Sequence, residues 1–167
     1  MAIFSPNLLL KDVTYIDKKL LNKHNIKALI LDVDNTLTTH GSQHIEKKIY
    51  DWLYQMEELK IKMMIVSNNT NSRVKPFADR LGIDFVAMGC KPLTFGFTRA
   101  KRRFNVPTKQ IAIVGDQVFT DILGGNLKGM FTILVTPFKL EEDKFFKFKR
   151  KLEKHTINKY KRKNDIL

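Results

Sequence analysis

Lys27-Ala28-Leu29-Ile30-Leu31-Asp32-Val33-Asp34-Asn35-Thr36-Leu37 decides how this chain folds. An unbroken apolar run passes directly into two carboxylates spaced two residues apart. The run has the pattern of a strand covered on both faces, as strands of parallel sheets are. Carboxylates at the end of such a strand are poor core material and need a purpose.

Working outward, Ile45, Ile49, Trp52, Leu53, Met56 and Leu59 recur at steps of three and four, which predicts a core-facing helix over 44–59. Ile61–Val66 predicts a second buried strand, and Val74, Phe77, Ala78 and Leu81 a helix closed by Gly82. A short strand at 84–86 precedes Lys91-Pro92 and a helix carrying Phe95, Phe97 and Ala100. A strand at 111–114, a helix at 118–127 and a strand at 131–135 complete the alternation. Strands separated by helices mean βαβ units and a parallel sheet flanked by helices, so the fold class is α/β. Upstream, Val13, Ile16 and Leu20 stand at helical spacing, and the first 26 residues are expected to form a helical preface.

The chain has 167 residues, 43% hydrophobic and 10% aromatic, which excludes wholesale disorder and permits a core without staples. Its longest apolar runs fall far short of the roughly 20 residues of a membrane span. Leu8-Leu9-Leu10 with Asp12 close behind is too little for a signal peptide. The single cysteine, Cys90, fits a reducing compartment, so the expected setting is the cytoplasm. Charge is the unusual feature. Thirty Lys+Arg against seventeen Asp+Glu give +13, and the segment 138–167 alone holds eleven Lys/Arg and five acids. An anionic partner is expected. The division that follows is a main domain over 1–137 and a basic, helical extension over 138–167.

In open parallel sheets ligands bind beyond the carboxyl ends of the strands. The first strand ends in Asp32 and Asp34, the second in Ser67-Asn68-Asn69, and the fourth in Gly115-Asp116, with Asp121 close behind. Lys91 follows the short third strand. Taken singly, these are ordinary turn formers, caps or a solvated lysine. Four polar stations on one sheet edge are hard to explain as independent turns. Together they suggest phosphoryl transfer through a carboxylate nucleophile. Asp32 would attack, and Asp34 would protonate the leaving group and then activate water. An aspartate approaching a phosphate meets repulsion of about 4 kcal/mol per charge pair at 4 Å and an effective dielectric near 20. Mg²⁺ held by Asp32 and Asp116, together with Lys91, would offset it. Ser67, with Asn68 and neighbouring amides, would hold the phosphate oxygens.

In order, Asp32–Leu37, Ser67–Asn69, Lys91 and Gly115-Asp116 through Asp121 resemble the four motifs of the haloacid-dehalogenase (HAD) superfamily, on its phosphatase branch. More narrowly, Asp34-Asn35-Thr36-Leu37, Ile65-Val66-Ser67-Asn68-Asn69, Lys91-Pro92 and the Gly115–Asn126 stretch are similar to the YqeG-like phosphatases of subclass IIIA, a group that includes phosphatidylglycerophosphate phosphatases. The resemblance implies a Rossmann-like HAD core, Mg²⁺ dependence and a metal bound by Asp32, Asp116 and the backbone carbonyl of Asp34. It also implies that Asp121 orients Lys91 or a metal-bound water.

Only 32 residues separate Asp34 from Ser67, so no cap domain fits there and the site is expected to be open. An open site suits a lipid head group, and phosphatidylglycerophosphate at the inner face of an anionic membrane is the leading substrate. Phe145, Phe148 and Leu152 lie at helical spacing among Lys144, Lys147, Arg150, Lys151 and Lys154, an amphipathic pattern suited to such a surface, unless the aromatics dock on the core instead. The rival readings are the same chemistry on a nucleic-acid end or a soluble sugar or nucleotide phosphate, and a non-catalytic basic adaptor for lipid or RNA. No RNA-binding motif accompanies the charge, which counts against nucleic acid. His24, His40, His44 and His155 lack metal-ligand spacing. Cys90 is expected to pack beside Lys91, and Trp52 to be core.

Overall fold

Six short apolar segments form one parallel sheet in the computed structural model, which describes residues 3–139 and 144–163. In chain order they are β1 (Leu8–Leu10), β2 (Ala28–Leu31), β3 (Lys62–Val66), β4 (Phe85–Val86), β5 (Ile111–Gly115) and β6 (Phe131–Val135). Their order across the sheet is β1-β6-β5-β2-β3-β4. The helices are α1 (Lys18–Lys23), α2 (Lys47–Glu58), α3 (Asn71–Leu81), α4 (Phe95–Phe104), α5 (Leu123–Lys128) and α6 (Lys144–Lys163). The central strand β2 pairs with β3 on one side and β5 on the other, Leu31 lying level with both Ile65 and Val114. The carboxyl ends of three strands therefore meet at one place.

Because side chains alternate across a strand, β2 feeds two cores. Leu29 and Leu31 join Ile49, Trp52, Met56, Val74 and Phe77 from α2 and α3. Ala28 and Ile30 join Phe97, Ala100 and Phe104 from α4 on the opposite face. Trp52 is buried as expected, and its Nε1–H donates to the Ile16 carbonyl at 2.9 Å, tying the N-terminal segment to α2.

The helical preface is corrected by the structure. Leu8–Leu10 is an edge strand running parallel to β6, Leu8 opposite Ile133. Val13–Tyr15 is a 3₁₀ turn, and only Lys18–Lys23 is α-helical. Three leucines carry no periodicity of their own, so nothing in the sequence distinguishes such a strand from a helix start. The predicted helix at 118–127 begins as a π-helical turn, Val118–Ile122, before α5.

Between β2 and β3 the chain holds a turn and α2, and between β3 and β4 only α3. Among the described residues no cap module stands over the carboxyl edge. No helix there is long and apolar enough to cross a membrane. The basic tail helix α6 docks on the sheet domain. Ile157 packs on the cluster of Val118, Ile122 and Leu134, and the Tyr160 hydroxyl donates to the Asn7 carbonyl at 3.0 Å. Phe148 and Leu152 face solvent, 62% and 47% exposed. The side chain of Phe145, the third apolar residue of that expected stripe, lies outside the described residues.

Candidate active site

At the end of β2 the backbone winds tightly: the amides of Thr36, Leu37 and Thr38 all point at the Val33 carbonyl. Asn35 takes a left-handed conformation there, φ 60°. This turn separates the two carboxylates into different environments. Asp32 is bonded to the Lys91 ammonium, Oδ1 to Nζ 2.5 Å. Asp34 Oδ1 accepts from the Gly41 amide at 2.7 Å and Arg73 Nη2 at 2.8 Å, and its Oδ2 from Asn69 Nδ2 at 2.5 Å.

Ser67 ends β3, buried, its hydroxyl accepting from the Asn69 amide at 3.2 Å. Asn68 follows on the same loop and turns its side chain to the backbone of Lys91. Its side-chain Oδ1 accepts from the Lys91 amide at 2.6 Å and its Nδ2 donates to the Lys91 carbonyl at 2.9 Å. That side-chain amide is a clamp on the Lys91 loop, so Asn68 also positions Lys91. Both hydrogen-bonding ends of a short amide meet the N–H and C=O of one residue, which the sequence could not announce.

Lys91 is buried and bridges two carboxylates, since Nζ also donates to Asp121 Oδ1 at 2.6 Å. Asp121 belongs to the π-helical turn and packs on Gly115. A Cβ built at Gly115 would lie 2.3 Å from the Asp121 Cγ, so only glycine leaves room for the Asp121 carboxylate against the end of β5. Asp32, Asp116 and Asp121 each bring a carboxylate oxygen within 4.8 Å of the others. Asp34's carboxylate lies outside that trio. Asp116 is held from the far side, where Arg150 of α6 pairs with its Oδ2 and also donates to its backbone carbonyl at 2.8 Å. Asp116 Oδ1 is buried with no hydrogen-bond partner.

An orphaned carboxylate oxygen in a cluster of three acids is costly as it stands. It is the donor a hard cation takes, since such ions are bound by carboxylate oxygen. The electrostatics agree. Burial pushes the Asp32 carboxyl up to about 6 although Lys91 pulls it down, with the Asp121 charge adding to the rise. Burial also raises Asp116 well above the usual carboxylate range, against the pull of Arg150. Burial works against the Lys91 ammonium, but Asp121 and Asp32 outweigh it and hold it above the ordinary lysine range. The cluster thus carries more acid than its resident cations satisfy.

The roles of four residues here escaped the sequence reading. Asn69, on the loop after β3, and Arg73, in the first turn of α3, form the cradle of Asp34. Arg150 is indistinguishable by sequence among the eleven cations of the tail. Glu153 could have been found. It is the sole acid in 144–163, and it is buried, accepting from the Val118 amide at 2.9 Å and from Arg150 Nη1 at 3.0 Å. Cys90 is corrected too: it is exposed on its loop.

The residues 1–81 match the family described as mitochondrial PGP phosphatase, and residues 89–144 match a HAD-hydrolase-like family. The chain is 36% identical over 163 residues to a Bacillus subtilis protein named "Probable phosphatase YqeG", covering 98% of this chain and 95% of that one. It is 26% identical to phosphatidylglycerophosphate phosphatase 1 of Arabidopsis thaliana, of which it spans 48%. It is 29% identical to the Saccharomyces cerevisiae phosphatidylglycerophosphatase GEP4, 83% of each chain being covered. Among solved structures, a haloacid dehalogenase-like hydrolase from Brucella suis superposes with a TM-score of 0.59 at 10% identity, over 74% of this chain and 88% of that one. A cobalt-bound deoxy-D-mannose-octulosonate 8-phosphate phosphatase from Haemophilus influenzae gives 0.50 at 17% identity, over 82% and 90%. These structural likenesses speak for the fold.

Proposed function

The chain belongs to the YqeG-type phosphatases of the HAD superfamily and is a phosphoric monoester hydrolase; from that premise we propose that it dephosphorylates phosphatidylglycerophosphate through an aspartyl-phosphate on Asp32. The observation that carries the mechanism is the buried Asp32–Lys91–Asp121 chain beside the unpartnered oxygen of Asp116. Asp32, Asp116 and the Asp34 backbone carbonyl would hold Mg²⁺, which when bound supplies charge to counter the phosphate dianion.

In the first step an Asp32 carboxylate oxygen attacks phosphorus and the phosphate–alkoxide bond breaks. Asp34 gives its proton to the departing alkoxide. In the second step Asp34 takes a proton from water, whose oxygen attacks phosphorus and returns the electron pair to Asp32, releasing inorganic phosphate. Lys91 stands by the nucleophile and neutralises charge gathered on the transferring group. Ser67 offers a hydroxyl to the same group. Gly41, Asn69 and Arg73 fix the Asp34 carboxylate, so the proton carrier keeps its place through both steps.

Three things support a lipid substrate: the uncapped edge, the names borne by the Arabidopsis and yeast relatives, and the excess of cations. On α6 the docking face (Arg150, Glu153, Ile157) leaves Lys147, Phe148, Lys151 and Leu152 facing outward, a basic and apolar surface that suits an anionic bilayer. The test is phosphate release with Mg²⁺ from phosphatidylglycerophosphate in mixed vesicles, beside soluble sugar and nucleotide phosphates and phosphorylated oligonucleotides. Release should be fastest from the lipid and should vanish on chelation. Equal or faster release from a soluble or oligonucleotide phosphate would remove the lipid assignment while leaving the chemistry.

Arg150 gives a further test of the site. Groups that orient metal-binding carboxylates contribute about 10–100-fold in metal affinity or activity. Arg150→Met should therefore lower kcat/KM on a soluble phosphate by about 10–100-fold, with partial recovery in Arg150→Lys. Wild-type turnover in Arg150→Met would mean that α6 merely covers the domain.

A further inference from the structure

We propose that the Lys91 loop is the enzyme's bilayer-docking element, with Met88, Leu93 and Phe95 entering an anionic phospholipid surface and the outer face of α4 resting on its head groups. The proposal rests on the lipid-phosphatase reading and says which way the enzyme faces its substrate. Met88, Leu93 and Phe95 are 68%, 58% and 69% exposed, and all lie within eight residues that also carry Lys91. Single exposed apolar residues are ordinary, but two on one active-site loop and a third at the start of the helix it leads into are not.

The loop cannot fold these side chains away. The Met88 amide donates to the Asn69 carbonyl at 2.9 Å and the Gly89 amide to the Ser67 carbonyl at 2.8 Å. The Gly96 amide donates to the Gly89 carbonyl at 3.3 Å, closing the loop on itself. A Cβ at Gly96 would lie 3.1 Å from the Gly89 Cα and 2.7 Å from Val66 Cγ1, so the two limbs touch without slack. Met88 and Cys90 both adopt positive φ, 49° and 54°, to make the bend. With Asn68 gripping Lys91 at both ends of its backbone, the ammonium is turned inward and the apolar neighbours outward. The segment that supplies the catalytic cation is thus the one that projects grease beside the site.

Charge selects the occupant. Phe95, Arg99 and Arg102 stand at i, i+4 and i+7 on the exposed side of α4, while Phe97, Ala100 and Phe104 face the core. An apolar tip continuous with a cationic helix face fits an anionic interface, where hydrophobic insertion and attraction to head groups act together. A second copy of this chain fits poorly. Twofold pairing here brings two such cationic faces together in a protein of net charge +13.

The test is co-sedimentation with vesicles of phosphatidylglycerol and phosphatidylcholine, using the full chain as wild type, Leu93→Ser/Phe95→Ser and Arg99→Gln/Arg102→Gln. Each double variant should lower the partition coefficient at least about tenfold, and raised salt should weaken the wild type. Turnover of para-nitrophenyl phosphate should stay at the wild-type level, since neither pair touches the site. Wild-type partitioning by both variants would overturn the proposal, as would a wild type that ignores the vesicles. Loss of soluble turnover alongside binding would instead make these residues structural, and conversion of a dimer to a monomer by either variant would make the surface a protein interface; both overturn it. Loop-dependent vesicle binding without phosphate release from phosphatidylglycerophosphate would retain the docking element and discard the substrate.

Discussion

Asp32→Asn should abolish phosphate release on every substrate, by about four orders of magnitude or more, because the amide cannot displace an alkoxide from phosphorus. A merely metal-binding carboxylate would behave differently. Its loss would cost about 10–100-fold and excess Mg²⁺ would recover much of that. The metal titration therefore separates the two roles, and recovery of turnover at high Mg²⁺ would remove Asp32 from the nucleophile's position. Acid quench of the wild type during turnover should leave a phosphoryl adduct on the peptide containing Asp32, absent from the variant.

The same variant should be folded. The Asp32 carboxyl is held up at about 6 chiefly by burial, so its charge opposes folding at neutral pH. Asparagine removes that charge, and Lys91 keeps its bond to Asp121. The melting temperature without metal should equal or exceed that of the wild type. A large drop would make any loss of activity uninterpretable as chemistry and would show that Asp32 holds the fold.

The cluster of polar residues at the strand ends was more legible than the scaffolding around it. Apolar strands that end in acids announce both a sheet and its working edge, because burial and ionisation are incompatible unless something compensates. Asp32, Ser67, Lys91, Asp116 and Asp121 could thus be named from their positions after β2, β3, β4 and β5. What escaped were contacts that depend on angle and not on pattern. The clamp of Asn68 on Lys91 needs the loop's left-handed turns at Met88 and Cys90. The edge strand β1 is three leucines, defined only by its pairing with β6. Arg150 reaches Asp116 because Glu153 and Ile157 set the rotation of α6, and in the sequence it is one cation in a crowd. The amphipathic reading of that tail found the apolar residues Phe148 and Leu152, yet the docking face is the one that carries a buried glutamate.

Lys91→Met should both cripple turnover and destabilise the metal-free protein, and the second effect should depend on pH. Removing one partner of a buried ion pair typically costs about 3–5 kcal/mol, because the abandoned charge stays buried. Here two carboxylates lose their shared cation. Turnover should fall about 10²–10³-fold, the loss seen when a preorganised charge is taken from a transition state. The pH dependence follows from Asp32. Its carboxyl titrates at about 6 in the folded protein and at the ordinary 3.8 when unfolded, so the folded state binds the proton more tightly. Stability from this group therefore falls as pH rises from about 4 to 6, with the penalty complete above 6. Lys91 is among the influences that hold this pKa down, so in the methionine variant it moves higher and the penalty extends to more alkaline pH. Thermal unfolding in a chelator at pH 5 and at pH 8 reads the difference directly. The gap between variant and wild type should be several degrees wider at pH 8, where the unpaired acid must be charged, than at pH 5, where it can take up a proton. A gap of equal size at both values would mean that methionine disturbs packing alone, and that the Lys91 ammonium is not the group that keeps Asp32 ionised.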